Sequence, residues 1–481
     1  MSRSLRSRVL GALSWAAGAK ALGQIISWGI TLYVIRLLTP QDYGIMALAM
    51  VFIGITVPLS ELGLGAALIQ TPTLETRLIR QVYGFALLVS VGFFLAITAA
   101  AGPVAAFFDS PGLASVLPVL AFGLVLTAVS ICPKAILLRD LNLRLTSLTE
   151  VGGAIGGGLL TLYLAHSGYG VWSLVWGHLL TLALAATVLL AVAGTPKLPS
   201  FDLRGVGQSL TFGVWVTLDR LMWMLWSQAD ALIIGKVLGE VRLGSYAVAK
   251  EIAQIPQTKI QGTINAVAFP AYAEAQRTEG AAARYLQKYI RLSAMVAFPV
   301  FWGIGATAPV FVPLLLGDPW EAAILPMQII AFAMPARVAQ AAVSPYLQAV
   351  GEARRATGNM VIGLVLMTTA VLIGSRWGLP GVSLGWAVAA VLILLVVLWR
   401  TRPIAGVAPL ILLMQLARVA LPALVMLLAV FAASALSDEA SVARLAFMIA
   451  AGFFAYPLAS WALCRPEARE VVAMFKPRRN V

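Results

Sequence analysis

One segment type recurs along almost the whole of this chain: about 20 mostly apolar residues, closed at each end by a short polar break. A run of that length satisfies its own backbone as a helix and matches the thickness of a bilayer. Candidate spans fall near 10–38, 43–68, 82–106, 113–138, 146–166, 169–193, 208–238, 243–268, 288–316, 320–348, 356–376, 380–399, 408–436 and 442–464. The breaks between them read as turns, among them Thr39-Pro40-Gln41-Asp42, Asp109-Ser110-Pro111-Gly112, Ser167-Gly168, Gly317-Asp318-Pro319 and Ser437-Asp438-Glu439. The expected fold is an all-α polytopic membrane protein of about fourteen transmembrane helices, with no room for a soluble domain.

Composition excludes the main competitors. Only 11% of the 481 residues are charged and 60% are hydrophobic, whereas a soluble surface needs about a quarter of its residues charged. The formal charge of +14 would suit nucleic acid only if Lys and Arg formed a continuous face. They sit instead in short clusters between apolar runs, so no nucleic-acid partner is expected. Cys132 and Cys464 offer no disulfide framework, and His166 and His178 no metal-ligand spacing. Arg3, Arg6 and Arg8 precede an apolar run from Val9 to Leu38 that contains Lys20. Signal-peptide cores are roughly 7–15 residues long, so this run reads as an uncleaved first span.

Charge asymmetry sets the expected topology. With the N-terminus inside, 23 cations fall on the cytoplasmic side and 4 (Lys236, Arg242, Arg376 and Arg444) on the other. That excess is the positive-inside pattern, with an even number of spans and both termini cytoplasmic.

The polar break Gly194-Thr195-Pro196-Lys197-Leu198-Pro199-Ser200 falls after the sixth span and suggests a midpoint. A shift of 200 positions lays Leu10, Trp15, Ser27, Leu32, Leu38, Gly44, Ala47 and Ala49 on identical residues, Lys20 on Arg220 and Arg36 on Lys236. Gly170-Val171-Trp172-Ser173-Leu174 is echoed by Gly381-Val382-Ser383-Leu384 at a slightly different offset. Two six-span halves starting on one side must be a parallel repeat. The expected domains are an N-lobe (1–200), a C-lobe (201–405), and two extra helices with a basic tail (406–481). Two lobes face to face leave a central cleft suited to alternating access.

Seven cations belong to no loop: Lys20, Arg36, Arg220, Lys250, Lys259, Arg337 and Arg418. Each costs about 2.5–3.5 kcal/mol at a helix centre, which argues against lipid-facing placement. Lys20, Gln24, Ser27 and Thr31 form one polar stripe at helical spacing, and Lys250, Gln254, Gln257 and Gln261 repeat it. Arg337, Gln340, Ser344 and Gln348 mark a broader polar face. The stripes imply a hydrated, electropositive interior. The candidate substrate-binding residues are Lys20, Gln24, Arg220, Lys250, Gln254, Gln257, Gln261 and Arg337. Arg36 is expected to snorkel beside Asp42, and Arg418 to reach its own end of a span. Lys259 lies opposite Lys250 unless Pro256 shifts the helix phase. Asp219 and Glu251 are neighbours that could pair with Arg220 and Lys250. Asp230 and Glu61 fit either ion coupling or helix packing. Pro58, Pro118, Pro133, Pro256, Pro299, Pro335, Pro345 and Pro422 fall inside spans, where neighbouring helices or water must satisfy the freed carbonyls.

Several stretches resemble the Wzx-type polysaccharide flippases. These are Ile35-Arg-Leu-Leu-Thr-Pro-Gln-Asp-Tyr-Gly44, Glu61-Leu-Gly-Leu-Gly-Ala-Ala-Leu-Ile-Gln70, Leu137-Leu-Arg-Asp-Leu-Asn-Leu143, Gly168-Tyr-Gly-Val-Trp-Ser-Leu174, Asp230-Ala-Leu-Ile-Ile-Gly-Lys-Val-Leu-Gly239, Leu243-Gly-Ser-Tyr-Ala-Val-Ala249 and Ala268-Phe-Pro-Ala-Tyr272. The resemblance runs in order through most of the chain. It implies the multidrug/oligosaccharidyl-lipid/polysaccharide superfamily: two six-helix lobes, here with two further helices, in the bacterial inner membrane. It also implies a cargo of oligosaccharide repeat units on undecaprenyl pyrophosphate, moved from the cytoplasmic to the periplasmic leaflet for exopolysaccharide, O-antigen or capsule synthesis. Partners would be membrane lipids and the polymerase and export machinery.

The chemistry is compatible from below. A cationic wet interior attracts the pyrophosphate, Gln, Ser and Thr exchange hydrogen bonds with sugar hydroxyls, and the polyprenyl tail stays in lipid. No G-x-x-x-x-G-K-[ST] loop is present, so an ion gradient is the expected energy source and no cofactor is expected. The chain reads as a transporter and not as an enzyme. A membrane polymerase, ligase or glycosyltransferase would usually carry an extended external loop with catalytic motifs. A multidrug exporter should favour acidic cavity residues, and a peptidoglycan-precursor flippase would share the fold.

Overall fold

The computed structural model describes residues 23–24, 26–71, 75–140, 142–193, 198–202, 206–275, 281–436 and 441–475. Among these residues all regular structure is helical. Eleven stretches are long and apolar enough to cross a membrane. One of them, Ala353–Ala405, holds two helices joined by a 3-10 turn at Ser375–Trp377. The chain divides into two compact units, Met1–Gly244 and Ser245–Val481.

The first unit contains α1 (Ile26–Leu37), α2 (Pro40–Glu61), α3 (Leu64–Gln70), α4 (Thr76–Phe107), α5 (Pro111–Arg139), α6 (Leu143–His166), α7 (Val171–Val192) and α8 (Val206–Leu238). The turn Thr39–Asp42 starts α2 as a capping box: the Thr39 hydroxyl accepts from Asp42 N–H and the Asp42 carboxylate accepts from Thr39 N–H. Pro40 follows at the first helical position, where its missing N–H costs nothing. The span expected over 43–68 is not one helix. Leu62 and Gly63 take left-handed conformations, with φ of 46° and 64°, so α2 ends at Glu61 and α3 restarts in a new direction. Leu64 and Leu68 of α3 then pack with Val82 and Ala86 of α4 and with Cys132 and Ala135 of α5. Arg139 donates to the carbonyls of Leu68 and Thr71, placing a cation on the C-terminal end of α3.

α6 and α7 form a hairpin whose close crossing depends on small residues. A Cβ on Gly157 would overlap the Thr181 hydroxyl, and one on Gly177 would overlap the Thr161 hydroxyl. Both threonines donate back into their own helices, to Gly157 and Gly177 at 2.9 and 3.0 Å, so their hydroxyls are satisfied inside the contact. The break after α7 folds against the start of α4: Ser200 N–H donates to the Arg80 carbonyl and Arg77 pairs with Asp202 at 2.9 Å.

The second unit contains most of α9 (Glu240–Ala275), then α10 (Ala281–Phe311), α11 (Ile324–Ala341), α12 (Val343–Ala349), α13 (Ala353–Gly374), α14 (Gly378–Ala405), α15 (Pro409–Ser434), α16 (Val442–Leu463) and α17 (Arg465–Phe475). The span expected over 320–348 opens with a 3-10 turn at Asp318–Ala323 and breaks between α11 and α12, so Pro345 stands in the first turn of α12. α11 packs against α10 and α14, and α15 and α16 pack on α10 through Ala306, Val310, Met426, Val430 and Met448.

Proline dictates much of this packing. A proline at position i leaves the carbonyl at i−4 without its helical donor. Pro299 frees Met295, whose carbonyl accepts from the Tyr456 hydroxyl of α16. Pro309 frees Gly305, which accepts from the Gln328 amide of α11 at 3.2 Å. Pro422 frees Arg418, which accepts from the buried Cys464 thiol at 3.5 Å. Three side chains from neighbouring helices repair three interrupted ladders, as a bilayer with no water requires.

Candidate functional site

α8 carries two ion pairs in contrasting places. At its C-terminal end, Lys236 reaches Asp109 at 3.0 Å and lies 5.0 Å from the Phe107 ring centroid. Just beyond, Glu240 accepts from the Gln41 amide at 2.6 Å and from the Ser110 hydroxyl. The backbones come very close here: a Cβ on Gly44 would overlap the Glu240 carbonyl, and one on Gly244 the Pro40 carbonyl. Gly44 and Gly244 are partners under the 200-residue shift, and they pack against one another. The starts of α2 and α9, the α4–α5 turn and the end of α8 therefore share one polar cluster.

The second pair joins Arg220 to Glu61 at 2.8 Å. Arg220 lies sixteen residues before Lys236 on α8, about 24 Å of helix. Glu61 closes α2, twenty-one residues after Pro40, about 32 Å along it. Both ends of α2 and α8 that carry Pro40 and Lys236 lie in the polar cluster. Arg220 is the first residue of the apolar stretch Arg220–Leu238, so the pair lies toward the opposite end of that stretch from the polar cluster. Its side chains remain 52% and 25% exposed. An acyl chain cannot solvate a guanidinium, so the exposed part of Arg220 calls for water or an anionic ligand. Glu61 also stands at the negative end of the α2 dipole, an unfavourable place for a carboxylate that Arg220 offsets. This contact joins residues 159 apart in sequence; the side chain of Asp219, the neighbour expected to pair with Arg220, lies outside the described residues.

The remaining candidates are placed as follows. Gln24 is half-buried near the start of the described chain. Lys250, Gln254 and Gln257 lie half-buried along α9 at the spacing that gives one face. Arg337 on α11 is half-buried with its guanidinium 5.8 Å from the ring centroid of the buried Trp386 on α14, a cation–π contact. The buried Gln340 carbonyl oxygen, one turn on, has no hydrogen-bond partner among the described residues. Lys20 and the side chains of Gln261 and Lys259 lie outside the described residues. Within the first unit the structure brings Arg220 to Glu61, and within the second it sets Arg337 on Trp386. Asp230 is buried on α8 and accepts from the Ala231 N–H at 2.8 Å.

Comparison with known proteins follows from this geometry. The sequence profile described as "Polysaccharide biosynthesis protein" matches residues 33–325. The chain is 24% identical over 400 residues to the lipopolysaccharide biosynthesis protein WzxC of Escherichia coli (strain K12), covering 81% of this chain and 80% of that one. It is 22% identical over 340 residues to the succinoglycan biosynthesis transport protein ExoT of Rhizobium meliloti (strain 1021), covering 71% and 69%. Among solved structures, the lipid II flippase MurJ in an inward closed conformation matches with a TM-score of 0.75 at 13% identity, over 93% of this chain and 99% of that chain. An inward-facing multidrug resistance transporter matches with a TM-score of 0.59 at 17% identity, over 80% and 95%. At these identities the structural matches establish the fold.

Proposed function

The chain belongs to the polysaccharide biosynthesis protein family, a multi-pass protein of the bacterial inner membrane, and on that premise we propose that it is a flippase for lipid-linked oligosaccharide. In this reading it carries a repeat unit on undecaprenyl pyrophosphate from the cytoplasmic to the periplasmic leaflet, by alternating access through a cationic interior. It makes and breaks no covalent bond.

The observation that carries the reading is the Arg220–Glu61 pair, partly exposed at one end of an apolar helical stretch. A pyrophosphate approaching Arg220 replaces one anionic partner by another of higher charge. Arg is suited to that exchange because its planar fork binds carboxylate and phosphate alike. Glu61 keeps the guanidinium oriented and tempers its affinity, so the cargo can leave. Lys250 and Arg337 supply further cations. Gln24, Gln254 and Gln257, with Lys20 and Gln261 from the sequence pattern, offer hydrogen bonds that sugar hydroxyls exchange readily.

A strain lacking the protein tests this reading. Lipid-linked oligosaccharide should accumulate on the cytoplasmic leaflet while polymer disappears, and the plasmid-borne gene should reverse both. Unpolymerised material outside the membrane would replace the reading by a polymerase or ligase. Normal polymer with increased sensitivity to cationic drugs would favour a multidrug exporter.

A further inference from the structure

The C-terminal helix α17 (Arg465–Phe475) divides its charges by face. Its two carboxylates turn inward. Glu470 accepts from Arg291 at 3.0 Å and lies 3.7 Å from Lys288, both on α10. Glu467 is buried, 4.0 Å from Arg418 on α15. Arg465 and Arg469, one turn apart, point outward and are exposed. Their guanidinium carbons lie 5.2 and 5.5 Å from the ring centroid of one residue, the half-exposed Trp461 at the end of α16.

Two like charges on one indole repel one another, and an anion held between them would relieve that repulsion. Among the described residues no carboxylate reaches either guanidinium within ion-pair distance. Both nearby glutamates are already committed to the protein side. The sequence then adds Lys476, Arg478 and Arg479 and no further acid. Trp461 ends a membrane-spanning helix, and tryptophan there sits at the level of the lipid headgroups. α17 has the strong polar–apolar asymmetry of helices that lie in the interface plane.

We infer that Trp461, Arg465 and Arg469 form a binding site for the phosphodiester headgroup of an anionic phospholipid. The indole holds the two guanidinium planes by cation–π contact, and their N–H groups converge on phosphate oxygens supplied by the bilayer. The lipid clamps α17 to the membrane from outside while Glu467 and Glu470 clamp it to α10 and α15 from within. The site uses none of the residues proposed for transport and needs no cargo.

The test uses the full chain in detergent, titrated with phosphatidylglycerol or phosphatidylcholine, with bound lipids counted by native mass spectrometry. Each basic side chain near an anionic surface contributes about 1 kcal/mol. R465A/R469A should therefore weaken phosphatidylglycerol binding by roughly 30-fold, the equivalent of about 2 kcal/mol, and leave phosphatidylcholine binding unchanged. R465K/R469K should lose less, because charge survives while the planar fork does not. Gel filtration and unchanged phosphatidylcholine binding establish that the variants are folded. Equal phosphatidylglycerol affinity in wild type and R465A/R469A overturns the inference. So does undecaprenyl phosphate binding at these arginines in preference to phosphatidylglycerol, which would assign them to the cargo.

Discussion

The two ion pairs of α8 have the same chemistry and opposite settings. Lys236–Asp109 closes at 3.0 Å at the helix end, with side chains 41% and 79% exposed, inside a cluster that already holds Glu240, Gln41 and Ser110. Arg220–Glu61 closes at 2.8 Å about 24 Å away along the helix. An exposed pair at a helix end contributes at most about 1 kcal/mol, because water serves both charges nearly as well. Where the alternative solvent is hydrocarbon, a lone cation costs about 2.5–3.5 kcal/mol at a helix centre. The end pair fastens structure, whereas the role proposed for Arg220–Glu61 is to hold a charge ready for an anion that is not part of the protein.

Removing the Arg220 cation should have the largest effect. A hydrogen bond to a charged group is worth about 1.5–3 kcal/mol, so Arg220→Ala should reduce export about 10- to 100-fold, measured as polymer per unit of membrane-inserted protein. Lys250→Ala should act in the same direction and to a similar degree, since it removes a second cation of the proposed path.

Exchanging the charges, Glu61→Arg with Arg220→Glu, separates structure from transport. The swapped pair should restore membrane insertion but not export. Full export from the swapped pair would reduce Arg220–Glu61 to a packing contact. Glu61→Gln keeps the cation and removes its tether. Its expected effect is smaller, about tenfold, in export rate or in release of cargo. Lys236→Ala and Asp109→Asn should matter least, changing thermal stability in detergent by under about 1 kcal/mol, with that difference shrinking as salt is raised.

The ease of reading each of these residues from sequence follows from what periodicity can report. Arg220 stands out because a lone cation on an apolar helix violates the solvent rule of the bilayer. Its partner Glu61 could not be found that way, since spacing reports on one helix and the contact crosses 159 residues. The turn at Thr39–Asp42 was legible because its residue types cap helices. The break at Leu62–Gly63 was hidden, because an apolar Leu takes the left-handed conformation there and leaves the hydropathy of the run intact. Prolines marked the interrupted ladders, but only packing reveals that Tyr456, Gln328 and Cys464 repair three of them. The tail was readable as basic, and its inward-facing Glu467 and Glu470 were not, because their partners lie on α10 and α15.

The most direct measurement is leaflet accessibility in reconstituted vesicles. Purified protein is incorporated into liposomes with undecaprenyl-pyrophosphate-linked oligosaccharide, and the fraction open to an added glycosidase is followed over time. Wild-type protein should render inner-leaflet cargo accessible, while Arg220→Ala should approach the rate of protein-free vesicles. Equal rates for wild type and Arg220→Ala, or no movement above protein-free vesicles, would contradict the account.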